Sequence, residues 1–307
     1  MSKKRTFISF DWALKHLLRE KANHDVLEGF VSVILGRKSI KIHRLLESEG
    51  NKVDADSKSN RVDLLAEDEN GDLLLIEVQG EPEQAYFQRM LFGASKLVTE
   101  YIDSGENYEH VKRVYSINIV YFDLGQGEDC VYEGKTEFRG LTKGDVLQLS
   151  PFQQQKFKAD TVSDLYPRYV ILKVNDFNRW SRVPLDQWLY FLAHTDIPED
   201  ADAPGLKEAR EKLDLMRMSR DERIIYDRYL MDRAILRNTV DGARDEGKYE
   251  GLKEGREQGR SEGREEGRAE GERAKAIDTA RRMKTDGMPT ELIAKYTGLT
   301  TEQISSL

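Results

Sequence analysis

The chain has 307 residues, 38% of them apolar and 34% charged, with a formal net charge of −8. That length holds one sizeable domain plus an appendage, or two domains. The acidic balance excludes a strongly basic nucleic-acid binder, whose affinity comes mainly from neutralising phosphates. The single cysteine, Cys130, excludes an intrachain disulfide and fits a reducing, cytoplasmic compartment.

The opening Met-Ser-Lys-Lys-Arg-Thr-Phe leads into no long apolar stretch, so neither a signal peptide nor a membrane span is expected. Asp11 to Glu20 and His24 to Leu35 read as helices. The second carries Val26, Leu27, Phe30, Val31, Ile34 and Leu35 at helical spacing, and Gly36 behind it is a C-terminal cap signal. Two apolar runs follow, Val62 to Ala66 and Leu73 to Val78, flanking Asn70-Gly71, a dipeptide that tolerates the positive φ angles of a tight hairpin. Pro82-Glu83 opens a predicted helix to about Ile102, with Tyr86, Met90, Leu91, Leu97, Val98 and Tyr101 toward the core. Strands are predicted at Arg113 to Phe122 and, after a stretch rich in Gly and Gln, at Tyr169 to Val174. Pro184 to Ala193 reads as a closing helix with Trp188 and Phe191 inward.

The hairpin carries the candidate chemistry. Asp63 lies near the start of its first strand and Glu77 near the end of its second, so pairing brings the two carboxylates to one open end. Strand alternation sets Glu77 and Gln79 on one face and Val78 on the other. A strict two-residue turn would place Asp63 opposite Val78, on the wrong face, so the reading requires a bulge or a longer turn that shifts the register by one. Two carboxylates a few ångströms apart repel unless a cation lies between them, and hard oxygen ligands suit Mg²⁺ or Mn²⁺. Polar residues at strand ends are more often simply solvated. Against that, Leu73 to Ile76 is a continuous apolar run, so this strand is expected to be buried on both faces, and a carboxylate leaving it needs a partner.

The pattern resembles the active site of the PD-(D/E)xK nucleases, closest to the branch of Rpn-type recombination-promoting nucleases and PD-(D/E)xK-family transposases. The resemblance covers Phe10 to about Phe191. Phe10-Asp11-Trp12-Ala13-Leu14-Lys15 is similar to the family's opening Asp-x-x-Phe/Leu-Lys segment. Asp63 falls on the motif aspartate, and Glu77-Val78-Gln79 on the (Asp/Glu)-x-Lys position, with Gln in place of Lys. Phe87-Gln88-Arg89, followed by the Tyr101 helix, is similar to the aromatic-and-Arg helix behind the motif. The resemblance implies a restriction-endonuclease-like α/β core and a metal-dependent DNA endonuclease, tied to recombination or mobile elements. Asp63 and Glu77 would hold Mg²⁺ (or Mn²⁺ or Ca²⁺), with the Val78 carbonyl completing the coordination and Gln79 positioning the water. Gln can hydrogen-bond that water but brings no charge. The competing reading is therefore a weak or inactive nuclease fold that binds DNA or a partner protein through its helical tail. An RNA substrate stays open, because nothing in the sequence reports on a 2′-hydroxyl.

Three further residues are candidates for a supporting role. Glu28 sits where some superfamily members place an additional metal-binding acid, though an exposed helical Glu is the commoner case. Lys15 and Arg89 would contact phosphate or hold the carboxylates, with a structural ion pair as the equal alternative. The five histidines show no metal-ligand spacing.

Residues 1–200 are thus read as the nuclease-like core and 201–240 as a helical appendage, with helices over Leu206 to Met218 and Arg220 to Val240. Residues 241–273 read as a charged stalk or tether. There Gly recurs at 247, 251, 255, 259, 263, 267 and 271, and Arg256, Arg260, Arg264 and Arg268 stack like charges, as do Glu262, Glu266 and Glu270. Seven helical glycines remove roughly 6–7 kcal/mol from an isolated helix. Alone the segment is expected to be mostly disordered; paired with a second copy it would fold, winding right-handed, and a flexible tether is the equal alternative. Residues 274–307 read as a small helix-turn-helix-like unit, with helices at Ala274 to Lys284, Thr290 to Tyr296 and Thr300 to Leu307. The last has no basic residue, which favours packing or protein contact over DNA readout.

Overall fold

The structure, a computed structural model, describes residues 7–46, 64–102 and 106–307. They divide into two compact units, Met1–Tyr229 and Leu230–Leu307.

The first unit is built on a mixed six-stranded sheet flanked by helices. Its strands are β1 (Ile42–Leu46), β2 (Leu64–Asp68), β3 (Leu73–Gln79), β4 (Val114–Val120), β5 (Val131–Gly134) and β6 (Arg168–Lys173), in the spatial order β1-β2-β3-β4-β6-β5. β3, β4 and β6 are parallel, while β1, β2 and β5 add antiparallel at the two sides. The central strands are buried on both faces, as the continuous Leu73–Ile76 run requires: all four of its residues are buried, and so is every residue of β4. Helix α3 (Tyr86–Glu100) covers one face, where Ala94 and Leu97 pack on Leu65, Leu73, Leu75 and Val114, and Tyr86 and Met90 on Val120 and Phe122. Helices α1 (Phe10–His16), α2 (His24–Ile34) and α5 (Pro184–His194) meet through Phe10, Phe30, Trp188 and Phe191, with Phe10 and Phe30 centroids 4.8 Å apart.

The hairpin resolves the register question. Asp68 N–H donates to Asp72 O at 3.0 Å and Gly71 N–H to Asp68 O at 3.0 Å, with Gly71 at φ +84°. The loop thus spans three residues, 69–71, a turn closed by a left-handed glycine bulge. Leu64 pairs with Ile76 and Leu65 with Leu75, one step from the pairing a two-residue Asn-Gly turn would impose.

Several boundaries differ from expectation for local reasons. α1 ends at His16 rather than Glu20, where the Asn23 side chain donates to Leu17 O at 2.9 Å and turns the chain into a short 3-10 segment. α3 starts at Tyr86 rather than Pro82, because residues 83–86 form a turn with Tyr86 N–H on Glu83 O. β1 and β5 were not expected; both are short edge strands whose exposed residues break the apolar alternation. Helix α4 (Pro151–Phe157) lies in the stretch read as loop and carries a full capping box from Ser150 to Gln153. α6 (Leu206–Lys212) stops short of Met218.

Helix α7 runs from Arg220 to Thr285 and takes in the whole tetrad segment. Helical flanks on both sides supply the nucleation that an isolated peptide lacks. The first residues of α7 dock in the first unit: Tyr226 is buried against Trp12, and its hydroxyl accepts the Ser9 N–H at 3.0 Å. In the second unit the end of α7, α8 (Thr290–Thr297) and α9 (Thr301–Ser305) share a small core of Ala280, Ile293, Leu299 and Ile304.

Candidate active site

The site forms where β3 leaves the sheet. Leu73, Leu75, Glu77 and Gln79 alternate onto the face that α3 covers. Glu77 is only 4% exposed. It is the first acidic side chain on that face beyond a wall of leucines, so its charge is costly without a positive group nearby. Arg89, from the first turn of α3, supplies one: its Nε stands 3.7 Å from Glu77 Oε2, and its Nη1 donates to Glu83 Oε2 at 2.9 Å. Burial disfavours the guanidinium charge, but Glu77 and then Glu83 outweigh it and hold the Arg89 pKa above its usual value.

Gln79 follows two residues on. Its Nε2 donates to the Glu81 carbonyl at 3.1 Å, and Tyr121 N–H donates to its backbone carbonyl at 3.0 Å. A flipped amide would set two oxygens against each other, so the Glu81 bond leaves Gln79 Oε1 as the side chain's acceptor.

A polar layer on β4 backs the site. Asn118 pairs in register with Glu77 and is fully buried. Its Nδ2 donates to Ser116 Oγ at 2.9 Å and to Ser116 O at 3.1 Å, and its Oδ1 accepts the Tyr86 hydroxyl at 3.3 Å. Sequence reasoning missed this layer, although an Asn inside Ile117-Asn118-Ile119 is a signal of it. It also missed Glu81 and Glu83 as the groups that orient Gln79 and Arg89.

The other sequence candidates lie elsewhere. Asp63 is outside the described residues. Glu28 is taken up by Lys41 at 2.6 Å and by the Ile42 N–H at 3.0 Å, clamping β1 to α2. Lys15 is exposed on α1, where it and Arg19, after burial, lower the His16 pKa. Among the described residues no cluster of three or more acidic, His or Cys side chains could hold an ion. What they do offer is the Glu77 carboxylate, a hard oxygen donor of the kind that suits a divalent cation once further oxygen ligands join it.

At the far end of the hairpin the acids are structural. Asp68 Oδ1 accepts the Asn70 and Asp72 N–H groups at 2.9 Å each, while Arg37 stands 3.6 Å from Asp72 and packs its guanidinium over Tyr115.

Among the described residues no helix is long and apolar enough to cross a membrane. No curated protein and no solved structure matches the chain. One family description does match, over residues 8–239, which takes in the sheet, the Glu77–Gln79 strand end, α3 and the first part of α7. The chain therefore belongs to the PD-(D/E)XK nuclease family transposases.

Proposed function

We propose that the chain is a metal-dependent DNA endonuclease that hydrolyses phosphodiester bonds, in the service of DNA recombination or transposition. The observation that carries this reading is the one-residue register shift made by the Gly71 bulge. A shift of that size and direction is what the Asp63–Glu77 reading calls for if the two carboxylates are to share an ion. Asp63, Glu77 and the Val78 carbonyl would hold Mg²⁺, with Mn²⁺ or Ca²⁺ as substitutes. A cation held there would supply Lewis-acid chemistry, polarising the scissile phosphate and lowering the pKa of a bound water.

The chain's own residues do the rest. Gln79 Oε1 accepts a hydrogen bond from the attacking water and aims it, with the amide held by Glu81. Arg89 sets an opposite charge beside Glu77, and Glu83 keeps Arg89 in place. The Asn118–Tyr86 layer fixes the floor beneath Glu77. Residues 241–273 serve as a homo-oligomerisation segment. The lone cysteine fits a cytoplasmic setting.

Plasmid nicking tests the reading. The parent protein is expected to nick supercoiled DNA with Mg²⁺ or Mn²⁺ and to fall silent with EDTA. Asp63→Ala and Glu77→Ala are each expected to lose roughly 10²-fold or more, the usual cost of removing a group that stabilises developing charge. Equal nicking by parent and both variants overturns the assignment and leaves a nuclease-fold binding module.

A further inference from the structure

Every residue from 241 to 275 of α7 is exposed, so among the described residues nothing covers this stretch of helix. A Cβ built on any of the seven tetrad glycines would meet nothing within 4 Å. Among the described residues no packing asks for glycine there, yet each one weakens the helix relative to Ala. The residues beside them are not random. With about 100° between successive residues, one side of the glycine column carries Glu246, Glu250, Glu254, Glu262, Glu266 and Glu270. The other side carries Arg256, Arg260, Arg264 and Arg268. Large apolar side chains, Met231, Ile235, Leu236, Tyr249 and Leu252, are exposed on the same helix just before and at the start of the repeat.

These columns select a partner and a direction. A two-fold axis parallel to the helices sets the Arg column of one copy against the Glu column of the other on both flanks. A two-fold axis across the helices sets Arg against Arg on one flank and Glu against Glu on the other. We propose that α7 pairs in parallel with α7 of a second copy, glycine column to glycine column, with interchain Arg–Glu rows on either side. This deepens the self-association read above for residues 241–273 and is independent of cleavage. The glycines let the backbones approach closely enough for the charges to meet across the seam. The column advances by about 40° for each tetrad of about 6 Å rise, so the pair winds right-handed. The like-charge stacking along each helix is answered by the opposite column of its partner.

The test uses the full chain. Light scattering is expected to give a dimer for the parent and a monomer for the quadruple variant Arg256→Glu, Arg260→Glu, Arg264→Glu, Arg268→Glu. Mixing that variant with Glu254→Arg, Glu262→Arg, Glu266→Arg, Glu270→Arg is expected to restore a one-to-one pair. Direction is read from a spin label on Ala274→Cys in a Cys130→Ser background. Parallel pairing keeps the two labels close. An antiparallel pair centred on Gly259 sets them about 45 Å apart, thirty residues at about 1.5 Å each. A monomeric parent overturns both the self-association reading and the pairing. A parent dimer with distant labels, or a quadruple variant that stays dimeric, overturns the pairing alone.

Discussion

Arg89 stands 3.7 Å from Glu77 and reaches it from the helix that covers the candidate site. The guanidinium supplies the opposite charge that makes a buried acid tolerable. Arg89→Ala is expected to cost about 1–3 kcal/mol, below the figure for a fully buried pair because Arg89 is partly exposed and the separation is long for a hydrogen bond. Glu77→Gln placed on top of Arg89→Ala is expected to recover about 1 kcal/mol by removing the charge left behind. Urea unfolding of the two single variants and the double variant measures this. Strict additivity would mean that Arg89 and Glu77 are neighbours without coupling.

Gly71 decides which residues share the open end of the hairpin. At φ +84° it closes a three-residue loop and sets Leu64 opposite Ile76. Gly71→Asn is expected to keep the register at a cost under about 1 kcal/mol, since Asn visits the left-handed region readily. Gly71→Val is expected to cost about 2 kcal/mol or more, because a branched Cβ there crowds the following carbonyl. The register then competes with its two-residue alternative, which turns every side chain of one strand to the other face. Metal-dependent nicking should follow stability for Asn and fall further than stability for Val. Equal nicking by Val and parent would detach the turn from the site.

Much of this could be read in the sequence because its signals are local. The Leu73–Ile76 run, the Asn-Gly turn and the 3.6-residue stripe of α2 each encode one element in a short window. So does the need for a shifted register, which follows from counting residues between Asp63 and Glu77. What escaped depends on neighbours distant in sequence. Glu28 looks like an available acid until Lys41 and Ile42 claim it. Asn118 looks like a blemish in a strand until Tyr86, thirty-two positions earlier, closes over it. Edge strands β1 and β5 are defined by pairing with β2 and β6, and their own residues carry little pattern. The tetrad segment inverts the case. Its glycines argue for a broken helix, yet α7 runs through them unbroken from one flank to the other.

Two acids on the hairpin should respond to pH in opposite directions. Burial pushes the Glu67 carboxyl up, but hydrogen bonds from Lys112 at 3.0 Å and Arg44 at 2.8 Å outweigh it and leave Glu67 below the usual Glu range. A lowered folded-state pKa means that the unfolded chain binds the proton more readily. Its stabilisation is therefore present above the ordinary Glu pKa and lost as pH falls through the lowered value. Asp72 is raised, first by burial and then by Asp68, so its charging weakens the fold as pH climbs through that raised value. Glu67→Gln is expected to cost about 1 kcal/mol at pH 7 and less at pH 3, below the ordinary Glu pKa. Asp72→Asn is expected to cost less than Glu67→Gln at pH 7. Urea midpoints at the two pH values check both, and an unchanged gap for Glu67→Gln between pH 7 and pH 3 would refute the linkage.

A close backbone approach in the first unit brings α2 against the start of α6. A Cβ on Gly29 would lie 2.4 Å from both the Cα and the N of Gly205, which itself sits at φ +83° with the Trp188 ring 3.1 Å from its own Cβ position. Backbone atoms cannot swing aside as a flexible side chain can, so the two segments must part. Their separation would loosen Trp188, whose Nε1 donates to Pro204 O at 3.0 Å and whose ring packs on Phe10 and Phe30. Gly29→Ala is expected to destabilise the unit by about 2–3 kcal/mol despite the better helix propensity of Ala. Gly251→Ala, on the open face of α7, is expected instead to leave the unfolding of this unit unchanged, since its Cβ meets nothing. Thermal unfolding followed by Trp fluorescence separates the two. A Gly29→Ala variant as stable as the parent would show that α2 and α6 are free to part without loss of the Trp188 packing.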